Sequence, residues 1–358
     1  MKAKQVQRIK QLTSLGIEGA YLVPKLMKEL REIIPTSANT LMFTNSSFQV
    51  RNIYDDGPNV LKYGPLYAQE FLGKLDRDAH PYWGDWLRTH SGITTTEKFV
   101  FGKFYRSALY NEVLKPMYQH HSLIAAIKTK NNPVGVLLLT RSDHDSKFTA
   151  KEEKCFNELL PFIINGLSYK DEDKPQIADS GEAGIIIFNQ EAKLLHLSEQ
   201  ARVLLFRATH PGELAVKPDG FKVPQGVKQL VKNLVALFKS KGLDVSPPVW
   251  RQQSAWGEFD FRAQWLGSYE QNSDSLIAVT IQYREPIKLK IWRICEEFKL
   301  TNKQAEVTML VVEGYTYEAI AERMAISKYT VIDYVKILFE KFDVKNRNQL
   351  VSKIAWLK

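Results

Sequence analysis

Residues 300–351, LTNKQAEVTMLVVEGYTYEAIAERMAISKYTVIDYVKILFEKFDVKNRNQLV, decide what kind of chain this is. The pattern predicts four short helices, each opened by its own cap and closed by a tight turn. Thr301 with Gln304 three residues on is a capping box, in which two side chains satisfy N–H groups that a helix start leaves open. Val307, Leu310 and Val311 then repeat on one face until Gly314, whose freedom to take positive φ suits a helix end. Thr316 caps a second helix that buries Ile320, Ala321 and Met324. Ser327 follows so closely that only a tight turn fits before the third helix. There Val331, Val335, Leu338 and Phe342 lie at i, i+4, i+7 and i+11, a stripe for the core. Lys328, Tyr329, Ile332, Asp333 and Lys336 fall on the opposite face, where nothing in the sequence covers them. A fourth helix starts near Asn346, with Gln349 at the capping-box position and Leu350, Val351 and Ile354 turned inward.

An α-helix fits the ~12 Å wide major groove, its amino-terminal half reaching base edges while the preceding helix braces on phosphates. The layout suits that use. Leu300-Thr301, Glu306-Val307, Glu313-Gly314, Ile320-Ala321-Glu322-Arg323, Ile326-Ser327, Thr330-Val331 and Val335 resemble the LuxR-type helix-turn-helix of bacterial regulators. The resemblance implies base contacts from Ile332, Asp333 and Lys336, and phosphate contacts from Thr316, Lys328 and Thr330, joined by Lys345 and Arg347. Ser327 and Tyr329, at the start of the reading helix, complete the expected DNA-binding set. Three positions depart from the family's pattern: Ala325 stands where glycine is frequent, Ala319 where an acidic residue is frequent, and Asp333 on the reading face. A carboxylate there repels phosphate unless it accepts a hydrogen bond from cytosine N4. A basic four-helix tail can also be a solvated bundle or a protein-docking unit, but several capping and spacing signals agree on the DNA reading.

The rest of the chain sets the context. At 358 residues, two or three domains are expected, and 44% hydrophobic with 25% charged residues is a globular balance that argues against disorder. The apolar runs at Val134 to Leu139 and Ala183 to Phe188 fall far short of the ~20 residues of a membrane span and read as strands. Met1 to Lys10 is basic with no apolar stretch behind it, so a cytoplasmic protein without membrane contact is expected. The two cysteines, Cys155 and Cys295, stand alone on helical segments, which speaks against a disulfide framework or a zinc site. The formal charge of +9 favours an anionic partner, and residues 288–358 hold 13 Lys+Arg against 9 Asp+Glu, a local +4.

Two breaks in composition divide the chain. The charged, proline-bearing YKDEDKPQIAD at Tyr169 to Asp179 reads as a linker, and Pro286 ends a strand-like run before a helical pattern. The expected domains are 1–170, a linker at 171–182, then 183–285, and 286–358. The first is α+β: two leading helices, a hairpin of Ser122 to Ile127 and Val134 to Leu139, and a closing helix from Thr149, whose capping box is completed by Glu152. Helices are expected on one face of its antiparallel sheet. The second domain is also α+β, opening with Gly184 to Phe188, a turn at Asn189 to Ala192, and Lys193 to Leu197, and closing with strands at Gly257 to Trp265 and Ser275 to Tyr283. Arg106 to Glu112, the strand pair around Val134 and Phe148 to Leu167 resemble a GAF-type domain. Residues 184–283, led by GIIIFNQEAKLLHLSEQARVLL, are similar to a PAS-type domain. The expected fold class is therefore multi-domain α+β, GAF-like and PAS-like, plus an all-α four-helix LuxR-type helix-turn-helix domain.

Aromatic side chains gather between Tyr63 and Tyr110, and as a set Tyr67, Tyr82, Trp83, Trp86, Tyr105 and Tyr110 are the candidate lining of a small-molecule pocket, although each taken singly reads more readily as core packing. His120 and His121 are adjacent, so within a strand they would face opposite ways and could not chelate together. Asp143-His144-Asp145 reads as a solvated loop. No phosphate-binding glycine loop, nucleophile elbow or paired-carboxylate scheme occurs, so no catalytic residue, metal or cofactor is expected. Asp55-Asp56 follows two leading helices and precedes Gly57-Pro58, unlike the early acidic pair of a receiver domain. The expected protein is a non-enzymatic, homodimeric transcription regulator of double-stranded DNA, with a small-molecule effector and RNA polymerase as further partners. Two other readings stay open here: front domains that only dimerise or dock protein, and an enzyme-like front half fused to a DNA-binding tail.

Overall fold

The computed structural model describes residues 2–71, 83–99, 103–130, 132–170, 176–209, 223–239, 249–254, 256–267 and 275–357. In the front part, α1 (Lys2–Thr13) and α2 (Gly19–Ile33) lead into β1 (Ala38–Thr44) and β2 (Val50–Asp55). The short helices α3 (Val60–Leu66) and α4 (Trp83–Thr89) follow, then β3 (Ile93–Thr95) and α5 (Thr96–Phe99). The hairpin β4 (His121–Lys128) and β5 (Pro133–Arg141) comes next, and α6 (Ala150–Ser168) closes, with Thr149 and Glu152 forming the expected capping box.

The five strands are antiparallel in the order β2-β1-β5-β4-β3, and alternation along them builds two cores. Leu41, Leu123, Ala125, Ile127, Leu137 and Leu139 point to one face, against α1, α2 and α6. Met42, Ile124, Ala126, Val136 and Leu138 point to the other, where Tyr67, Trp83, Trp86, Phe104, Leu109 and Tyr110 cover them. Both faces are therefore buried, not one as the sequence suggests. The reason is that the covering aromatics come from segments too short or irregular to show a helical period.

The second part comprises β6 (Ile177–Phe188), β7 (Leu194–Leu197), α7 (Glu199–Thr209), α8 (Gln225–Lys239), β8 (Val249–Ser254), β9 (Gly257–Leu266) and β10 (Leu276–Pro286). Its five antiparallel strands run β7-β6-β10-β9-β8, with α7 and α8 packed on the face carrying Ile186, Phe188, Phe259, Phe261, Val279 and Ile281. Of the expected linker, residues 171–175 lie outside the described residues, and Ile177 to Glu182 belong to β6, with Ile177 to Asp179 paired with Arg284 to Pro286 at the end of β10. The stretch looks like a linker because its strand is bulged and polar. Ser180 Oγ donates to the Tyr283 carbonyl at 2.8 Å, and Gly181 takes φ +81 with its N–H on Asp179 Oδ1. The earlier start moves the boundary of the second part upstream.

The parts are joined by named contacts. Trp256, 2% exposed between β8 and β9, inserts beside Phe43 and Tyr54 of the first sheet, ring centroids 5.9 and 5.3 Å away. Glu182 accepts from Lys25 of α2 at 3.1 Å and from Arg207 of α7 at 3.0 Å. From Pro286 the chain runs directly into α9 (Ile287–Glu297), whose Trp292 indole donates to the Arg8 carbonyl of α1 at 3.3 Å. Lys290 of α9 is fully buried, and its ammonium donates to the carbonyls of Asp179 at 2.6 Å and Ala355 at 2.7 Å. Burial pulls its pKa down from the ordinary lysine value.

The remaining helices are α10 (Asn302–Val312), α11 (Tyr317–Met324), α12 (Lys328–Phe342) and α13 (Arg347–Trp356). They share a core of Val307, Leu310, Val311, Ile320, Ala321, Met324, Val331, Val335, Leu338, Phe342, Leu350 and Ile354, to which α9 adds Ile287, Ile291 and Ile294. Among the described residues, no helix is long and apolar enough to cross a membrane.

Candidate nucleic-acid interface

Short-range chemistry sets the turn between α11 and α12. Thr316 Oγ1 accepts the Ala319 N–H at 3.2 Å and opens α11. Ala325 closes it in the left-handed region, φ 51 and ψ 46, with its N–H on the Glu322 carbonyl at 3.2 Å. Ser327 Oγ then accepts the Thr330 N–H at 3.0 Å and shares a 2.8 Å hydrogen bond with the Thr330 hydroxyl. The starts of α11 and α12 are thus fixed by side chains that the sequence shows directly.

On α12, Val331, Val335, Leu338 and Phe342 are buried, while Lys328, Tyr329, Asp333 and Lys336 are exposed on the other side; Tyr329 keeps 80% of its surface. Ile332 and Thr330 are half-buried at the edges of that face. Lys336 lies 3.9 Å from Asp333, one turn away on the same helix. Lys328 contacts Glu318 of α11 at 2.5 Å, and that pairing holds the Glu318 carboxyl below the usual carboxylate range and raises the Lys328 ammonium. Sequence reasoning missed Glu318, because ten positions across a turn carry no periodic signal. At the far end, Lys345 is exposed, whereas Arg347 is half-buried with one guanidinium N–H on the Val311 carbonyl at 2.8 Å, tying α13 to the end of α10. Asn346 caps α13 through the Gln349 N–H at 2.9 Å.

The pocket candidates divide. Tyr82 lies outside the described residues. Tyr67, Trp83, Trp86 and Tyr110 are each less than a tenth exposed and pack on the first sheet, and Tyr105 is half-buried. Trp83 meets Trp86 edge-on at 6.0 Å, and Trp86 stacks on His90 at 4.9 Å. A second group joins Phe104, Tyr105 and Tyr110, with Tyr105 stacked on His120 at 4.6 Å. The Tyr110 hydroxyl shares a hydrogen bond with His120 Nδ1, and burial pushes its pKa up to about 12.

His120 and His121 do not face apart as their adjacency suggests. Their rings meet edge-on at 4.5 Å, because β4 begins only at His121 and Tyr118, at φ 58, turns the chain just before it. His121 contacts Glu97 at 2.9 Å. Among the described residues, no group of three His, Cys, Asp or Glu side chains is placed to hold a metal ion.

Comparison with known proteins agrees with the carboxy-terminal geometry. The family described as GerE, bacterial regulatory proteins of the luxR family, matches residues 299–354. The transcriptional regulatory protein DegU of Brevibacillus brevis is 30% identical over 92 residues, 25% of this chain and 35% of that protein. DesR of Bacillus subtilis (strain 168), also a transcriptional regulatory protein, is 35% identical over 54 residues, 15% of this chain and 27% of its own. The chain thus spans about a third or less of the length of these curated relatives. Among solved structures, a GAF domain/HD domain protein from Geobacter sulfurreducens is 15% identical at a TM-score of 0.30, covering 45% of this chain and 95% of that one. The LuxR-type receptor VqmA of Vibrio cholerae is 18% identical at a TM-score of 0.19, covering 48% and 80%. At those values neither structure bears on what this chain binds.

Proposed function

With residues 299–354 forming a LuxR-type helix-turn-helix domain, we propose that the whole chain is a sequence-specific DNA-binding transcription regulator acting as a one-component sensor. The observation that carries this reading is the face of α12, rigidly capped by Ser327 and exposed at Lys328, Tyr329, Asp333 and Lys336. Ile332, Asp333 and Lys336 read base edges from the major groove, and Thr316, Ser327, Lys328, Tyr329, Thr330, Lys345 and Arg347 meet the backbone around them. Arg347 does so with the part of its guanidinium not held by Val311.

Two copies are required for two reading helices to enter successive major grooves ~34 Å apart, so the working form is a homodimer in the cytoplasm, acting on RNA polymerase at promoters. The division into a front sensor at 1–170, a second domain running to 285 and extended back to Ile177 by β6, and a DNA-binding part at 286–358 belongs to the same reading. A small, largely apolar effector seats beside Tyr67, Trp83, Trp86, Tyr105 and Tyr110, with half-buried Tyr105 at its rim. We assign the chain no catalytic step.

Selection from a randomised duplex library by the full-length chain tests the reading. Recovery of a common half-site, repeated at about one helical turn, supports it. Recovery of unrelated sequences at every round contradicts it.

A further inference from the structure

The chain's +9 charge conceals two self-paired cations where DNA is expected. Of the cations placed there, Lys328 and Lys336 each face a carboxylate of the chain itself, Glu318 and Asp333. The two pairs differ in kind. Asp333 and Lys336 are neighbours on one helix at 3.9 Å, and Asp333 lies on the base-reading face. Glu318 and Lys328 belong to different helices, the second residue of α11 and the first of α12, and their 2.5 Å contact spans the turn. That turn is fixed independently, by the Ile326 N–H on the Ala321 carbonyl at 3.0 Å, the left-handed Ala325 and the Ser327 cap. Both partners are exposed, Lys328 at 51% and Glu318 at 63% of their side chains.

From this geometry we propose that Glu318 is an internal competitor for Lys328: it occupies the ammonium a DNA phosphate would take, and weakens backbone binding until phosphate displaces it. The proposal rests on the DNA-binding reading above. An exposed ion pair contributes little to folding, and the stabilisation a carboxylate gains in the first turn of α11 does not depend on Lys328. At a DNA surface the same carboxylate has two effects of one sign. It occupies a cation that would otherwise neutralise a phosphate, and it repels the phosphate that approaches. Glu318 is thus a positioning residue that acts through Lys328, and it limits how strongly the chain holds DNA of any sequence.

The test is a salt series of binding to a short mixed-sequence duplex by the full-length chain as wild type, Glu318→Gln, Lys328→Ala and the double variant. Each phosphate neutralised adds ~0.9 to the slope of log affinity on log salt. Glu318→Gln is expected to bind more tightly with a slope steeper by up to ~0.9, so that its advantage is about 3.5-fold larger at ~50 mM than at ~200 mM salt. In the Lys328→Ala background the gain in slope disappears. Equal slopes for wild type and Glu318→Gln, with DNA bound by both, overturn the competitor role alone, as does a gain in slope that persists without Lys328. Absence of duplex binding by every variant at low salt overturns the DNA-binding reading and this proposal together.

Discussion

Ala325 offers a quantitative check on the turn that positions the reading helix. It is an exposed residue held at φ 51 and ψ 46, where an L side chain crowds its own carbonyl at a cost of ~1–2 kcal/mol that glycine avoids. Replacing it by glycine relieves that strain but returns ~0.4–1 kcal/mol through the greater freedom of the unfolded chain. The exposed methyl adds no buried area to the account. Ala325→Gly should therefore stabilise α11 and α12 against local opening by about 0.5–1 kcal/mol, a two- to fivefold slowing of amide exchange. Hydrogen exchange on the full-length chain reads this directly at Ile320 to Met324 and Val331 to Val335. The mirror experiment is Gly314→Ala, at φ +93, which should speed exchange at the end of α10. Unchanged or faster exchange in Ala325→Gly would refute the idea that a left-handed alanine strains this turn.

Other substitutions probe the joints and the reading face. Trp256→Ala empties the contact with Phe43 and Tyr54 and should cost ~3–5 kcal/mol in urea unfolding; a loss below ~1 kcal/mol would mean the two sheets do not lean on it. Lys290→Met strands the carbonyls of Asp179 and Ala355, at ~1–3 kcal/mol each, against relief from holding a desolvated ammonium. Faster exchange at the end of α13 and around Asp179 in β6 is expected, and equal exchange at the end of α13 would show that the lysine does not hold it. Asp333→Asn should tighten binding to non-specific DNA and relax the choice at one base pair, and an unchanged preference in a randomised-site selection would contradict a reading role for Asp333.

How much could be read from the sequence follows the range of the interactions involved. The caps at Thr149, Thr301, Thr316, Ser327 and Asn346 bond to amides three residues on, so a local pattern suffices, and each occurs as a hydrogen bond in the structure. The stripe Val331, Val335, Leu338 and Phe342 is likewise a matter of helical period. By contrast, β8 and α8 are missing from the sequence reading: β8 is an edge strand of alternating half-exposed residues and offers little pattern, whereas α8 does repeat Val227, Leu230, Val231, Leu234 and Val235 at helical spacing. The start of β6 was hidden by Asp179, Ser180 and Glu182, whose polar groups are satisfied by partners more than a hundred residues away or on other helices. The pairing of Lys328 with Glu318 and the insertion of Trp256 are also tertiary facts, invisible to any period. The LuxR-type match and the exposed face of α12 are therefore the part that local sequence carries, whereas the proposed sensing role rests on aromatic packing that core and pocket share.

The most direct test of the central claim is a salt series of binding to fragments selected from the source genome by the full-length chain, compared with Lys336→Ala. Sequence-selective binding by the wild type, with the variant keeping only the weak, salt-sensitive component, is the predicted result. Binding that is non-selective at every salt, and indifferent to Lys336, would contradict the claim that the exposed face of α12 reads DNA.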